Sequence, residues 1–157
     1  MCLKQKKGFT LIEMLIVIAV IGLLSSVLLT ALGPARDKAK DSRIMQEISQ
    51  IRALAEVMYN GTYSALPELP SLNPISNKDL EDLVNDINSE GGEVNIIKSN
   101  DQRSYVIFTP LNSKVFNSDT NTYEFQYYCL DSSGKSAILK EPLDPYVVKQ
   151  KSVATCK

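Results

Sequence analysis

Between Phe9 and Leu32 the chain runs apolar for 24 residues with a single charged side chain, Glu13. At 1.5 Å of rise per residue this run makes a helix of about 36 Å, enough to cross a hydrocarbon core of ~30 Å with some tilt. A secretory signal has a shorter apolar core, about 7–15 residues, followed by a small-residue cleavage site. Here the run is followed by "GPARDKAKDSR", which is strongly polar. The small residue stands before the run, at Gly8. A cut there removes the leader carrying Lys4, Lys6 and Lys7 and leaves the helix in place.

The charges do not orient such a helix, because Arg36, Lys38, Lys40 and Arg43 balance the leader lysines from the other side. The cysteines argue for export. Cys2 lies in the leader, and its removal leaves an even pair, Cys129 and Cys156. That pair suits a disulfide in an oxidising compartment; two unrelated buried thiols are the alternative. Such a bond closes a loop of about 28 residues, worth about 3–4 kcal/mol in the chain-entropy model.

The segment "KGFTLIEMLIVIAVIGLL" resembles the N-terminus of type IV pilins and the related pseudopilins. Their precursors have a short basic leader ending in Gly, then a cleaved bond, then Phe or Met, an apolar helix, and a Glu five residues in. Gly8, Phe9, Thr10, Leu11, Ile12 and Glu13 match that pattern. The resemblance covers about the first thirty residues. It implies cleavage between Gly8 and Phe9 by a membrane-embedded prepilin peptidase, and N-methylation of Phe9. It also implies later transfer of the helix from the inner membrane into the core of a filament, on an inner-membrane assembly platform. Partners are then copies of the chain itself and other pilins, in an extracellular pilus or a periplasmic filament. A buried carboxylate costs about 2.5–3.5 kcal/mol on insertion scales. Cleavage creates a partner for it, the α-amino group of Phe9, cationic at neutral pH. The resemblance thus pairs Glu13 of one subunit with Phe9 of its neighbour.

Downstream, Ile44, Ile48, Ile51, Ala55 and Met58 form an apolar stripe on a helix of otherwise polar positions. Among those positions Asp41, Glu47 and Glu56 face Arg43 and Arg52. Pro34 should kink the helix or begin a second segment, and Asn60 with Gly61 should end it. A short helix capped by Ser76 follows, with Leu80, Leu83, Val84 and Ile87 on one face, closed by Gly91 and Gly92. "EVNIIK", "SYVIFTPL", "YEFQYYCL" and "SAILK" read as strands, the last two joined by a hairpin at Asp131–Gly134. A small antiparallel sheet against the amphipathic helix buries both apolar faces. That is an α+β arrangement and agrees with the pilin fold. The chain therefore divides into a leader (1–8), a membrane-spanning or filament-core helix (9–33), its amphipathic continuation (34–60) and an exported head (61–157).

Chemical motifs are sparse. There is no His, which removes the commonest general base and metal ligand. No nucleophile–base pair or phosphate-binding Gly loop can be assembled, and no cofactor is implied. Asn117, Asp119 and Asn121 alternate like the start of a calcium loop, but Thr122 and Tyr128 stand where Gly and Glu belong. A polar turn is the simpler reading. Asn60-Gly61-Thr62 also fits a glycosylation acceptor, but as a helix end it needs no sugar. The function expected is a structural filament subunit, not an enzyme. Alternatives are a pseudopilin of a type II secretion system and a DNA-binding minor pilin. Loss of the leader lysines leaves 14 basic against 18 acidic residues, net −4, which repels nucleic acid. The exception is the tail with Lys135, Lys140, Lys149, Lys151 and Lys157.

Overall fold

The computed structural model describes residues 8–70, 74–150 and 154–156. Two units divide the chain, one ending at Arg36 and the head from Asp37 onward. In chain order the elements are helix α1 (Leu11–Val57), helix α2 (Lys78–Ser89), strands β1 (Asn95–Lys98), β2 (Tyr105–Asn117), β3 (Thr122–Asp131) and β4 (Ser136–Leu139), and helix α3 (Pro145–Gln150). The architecture is α+β and pilin-like, a long N-terminal helix with a small antiparallel sheet.

In the first unit, the large apolar side chains in the run between Phe9 and Leu32 are all exposed. That run is long and apolar enough to cross a membrane. Helical structure continues through Pro34, so the second segment expected there does not begin. Proline removes its own donor and crowds the carbonyl four residues back, but propagation on either side adds one bond per residue.

In the head, Ile44, Ile48, Ile51 and Ala55 are fully buried, as their spacing requires. They pack with Leu80, Val84 and Ile87 of α2 and with Ile96, Tyr105, Ile107, Leu111 and Leu130 of the sheet. The N-cap of α2 is Asn77 rather than Ser76: its side chain accepts the Leu80 amide at 3.0 Å. A capping side chain accepts the amide two or three residues beyond it, and Asn77 stands three before Leu80 whereas Ser76 stands four before it. Gly92 allows the chain to pass close to α2, since a Cβ there would lie 2.6 Å from the Ile87 methyl. Helix α1 ends at Val57, so Gly61, at φ +100°, shapes the turn beyond it and is not the cap itself.

The sheet is a meander in the order β1-β2-β3-β4, every pairing antiparallel. Strand β2 is buried on both faces from Tyr105 to Phe108. Tyr105 and Ile107 face the α1 core, while Val106 and Phe108 enter a second cluster with Ile97, Cys129, Val148 of α3 and Ala154. The C-terminal stretch therefore covers the far side of the sheet. The register between β2 and β3 shifts between Pro110 and Lys114. That bulge takes backbone donors out of the ladder.

Candidate processing and assembly site

Thr10 precedes the first residue of α1 and caps it. Its Oγ1 accepts the Glu13 amide at 3.3 Å, and Glu13 Oε2 accepts the Thr10 amide at 2.8 Å. The Thr10 hydroxyl also donates to Oε2, at 2.7 Å. This is a reciprocal capping box, Thr-x-x-Glu, satisfying amides that have no carbonyl partner within the helix. Sequence reasoning treated Glu13 as a partner for an amine and as a negative charge suited to the first turns of a helix; it missed the cap, although the T-L-I-E spacing carries the signal.

Both bonds fall on Oε2, and Oε1 takes none among the described residues. Phe9 is 75 % exposed and lies one residue before the cap, with Gly8 exposed before it. A terminus at Phe9 places a cation beside the positive end of the helix dipole, which is unfavourable until a carboxylate offsets it. Glu13 supplies that carboxylate within the first turn. The leader residues Lys4, Lys6, Lys7 and Cys2 lie outside the described residues.

The structure brings Cys129 and Cys156 together, with an S–S distance of 1.98 Å and Cα atoms 5.8 Å apart. Cys129 is in β3, and Cys156 packs against the second cluster. Asn117, Asp119 and Asn121 surround the β2–β3 turn. Asn117 Oδ1 accepts the Asp119 amide at 3.0 Å, its Nδ2 donates to both oxygens of Glu124, and Asn121 sits at φ +54°. These groups are used in building the turn. Of the tail lysines, Lys149 Nζ pairs with Glu68 at 3.0 Å, while Lys151 and Lys157 lie outside the described residues.

The acidic side chains of α1 depart from the sequence reading. Asp41 is only 3 % exposed and faces neither Arg43 nor Arg52. Its carboxylate accepts the backbone amides of Asn112 and Ser113 at 2.6 and 3.0 Å, and the Ser113 hydroxyl. These are donors that the bulge releases, and a buried amide without an acceptor is costly. Glu56 accepts from the hydroxyls of Tyr63 and Tyr105. Burial, reinforced by Glu56, pushes the Tyr63 hydroxyl up to about 12. Arg43 does meet Glu47, at 3.0 Å, and also Asp86 and Glu90 of the α2 region. Burial first, then a hydrogen bond shared with Asp86, raises the Glu47 carboxyl above its ordinary value. Helical spacing announces only the Arg43–Glu47 pair, four residues apart; the other partners are set by the fold.

The family model for the prokaryotic N-terminal methylation motif matches residues 3–29. The matched segment contains Gly8, Phe9, Thr10 and Glu13 and reaches none of the head. No curated protein and no solved structure matches the chain.

Proposed function

Proceeding from that motif, the hallmark of type IV pilin and pseudopilin precursors, we propose that the chain is a structural subunit of a type IV pilus or pilus-like filament. Prepilin peptidase cuts between Gly8 and Phe9, and the new Phe9 amine is methylated. The precursor rests in the inner membrane through residues 9–33. Assembly moves that helix into a bundle with copies of itself and other pilins, leaving residues 61–157 as an exported head pinned by Cys129–Cys156. The observation that carries this reading is the capping box directly after the cleavage position, at the start of an exposed apolar run.

The box supports a two-stage use of Glu13. In the bilayer a lone carboxylate is expensive, and hydrogen bonds from Thr10 reduce that cost without a second subunit. In the bundle Oε1 still has room for a cation, and the Phe9 amine of a neighbour supplies one. The apolar run, shielded first by lipid and then by other helices, is never left to water.

Intact-mass measurement of protein from sheared filaments tests the reading. The expected mass begins at Phe9 and carries one methyl group. A mass that retains Met1, or surface material without this chain, overturns it.

A further inference from the structure

We propose that Asn60 is a self-modifying site, at which the Gly61 backbone nitrogen displaces the side-chain amide and leaves aspartate or isoaspartate. Asn60-Gly61 is the sole Asn–Gly pair in the sequence. It lies exposed in the turn beyond α1. Ring closure brings the Gly61 nitrogen onto Asn60 Cγ, and a side chain on the following residue obstructs that approach. Gly61 has none, and the space a Cβ would occupy is empty to 4 Å. Its φ of +100° is one that glycine adopts without penalty. Its N–H donates no hydrogen bond among the described residues.

The electrophile is also assisted. Thr62 Oγ1 lies 3.4 Å from Asn60 Oδ1 and 3.3 Å from Ser64 Oγ, so its one proton is shared between them and can turn to the oxygen that gains negative charge during attack. Three other asparagines, Asn88, Asn112 and Asn117, precede a serine, and the last two are held differently. Asn112 Nδ2 donates to Asp41 and to the Glu90 carbonyl, and Asn117 Nδ2 donates to Glu124. In the reaction the Gly61 N–Cγ bond forms, the Cγ–Nδ2 bond breaks, and ammonia leaves with the Gly61 proton. Water then opens the succinimide at either carbonyl. No oxidant or reductant is required. The product carboxylate appears just beyond the negative end of α1, whose last turn holds no basic residue to offset it.

The test incubates purified full-length protein in mildly alkaline buffer and follows the tryptic peptide Ala53–Lys78 by mass spectrometry. The expected result is a gain of about 1 Da at Asn60, ahead of any change at Asn112 or Asn117. Thr62→Val slows the gain in folded protein and leaves it unchanged in urea. Conversion at Asn112 or Asn117 first, a sugar found on Asn60, or an equal rate for folded Thr62→Val overturns the proposal.

Discussion

The Asp41 carboxylate of α1 holds the Asn112 amide of β2 at 2.6 Å across 71 residues of sequence. With the Ser113 amide on its other oxygen, one side chain joins the helix to the irregular part of the sheet. The bulge between Pro110 and Lys114 and the buried acid therefore depend on each other.

Asp41→Ala leaves two half-buried bulge amides without their acceptor. Each such group costs about 1–3 kcal/mol, so a loss of about 3 kcal/mol is expected. Asp41→Asn should lose less, since one oxygen remains, although its NH2 then faces a donor. Urea unfolding of detergent-solubilised protein measures both. Wild-type stability in Asp41→Ala contradicts this account.

Glu13→Gln keeps the size of the side chain and removes its charge. We expect cleavage at Gly8 to proceed and assembly to fail, because an unpaired Phe9 amine in a packed bundle costs about 3–5 kcal/mol at each contact. N-terminal mass reads the first outcome and filament yield the second. Normal filaments built from Glu13→Gln alone refute the pairing, and the capping box is then the whole role of this carboxylate.

Replacing Cys129 and Cys156 by Ala removes a link between residues 27 apart. The expected cost is about 3–4 kcal/mol. The loss should be local at first, freeing α3 and Ala154 from Val106 and Phe108 while the α1 core stays closed. Hydrogen exchange that quickens in Ile44–Ala55 as much as in α3 contradicts the two-cluster arrangement.

The Glu47 carboxyl has a raised pKa in the folded protein, so its contribution is complete in acid and is lost as pH rises through that raised value. Asp86 shifts downward, through hydrogen bonds to Glu47 and then Arg43, and contributes in the opposite sense. Glu47→Gln imitates the protonated acid facing Arg43 and Asp86. The melting temperatures of mutant and wild type should coincide in acid, with the mutant higher at neutral pH. A mutant equally destabilised at every pH would show that Glu47 is ionised throughout.

Periodicity made the α1 stripe, the α2 face and the strands legible, because Ile44, Ile48, Ile51, Leu80 and Ile107 are buried for reasons visible within a few residues of each. The Gly8–Glu13 pattern was equally local. What escaped was set at a distance. Asp41 read as a solvated position because nothing near it in sequence reveals a bulge 71 residues away. Strand β2 runs on to Asn117, past the end read at Leu111, because pairing with β3 resumes after the bulge. Helix α3 went unseen because its burial rests largely on Val148.

The order β1-β2-β3-β4 also governs how quickly the head can form. Each strand pairs with its neighbour in sequence, and four residues separate β2 from β3 and β3 from β4. Short loops close at little entropic cost, so the sheet can assemble from successive hairpins before distant segments meet. The slower encounters join distant segments, among them Asp41 with the bulge, Arg43 with Glu90 and Lys149 with Glu68. The head thus acquires its strands first and its long-range fastenings last.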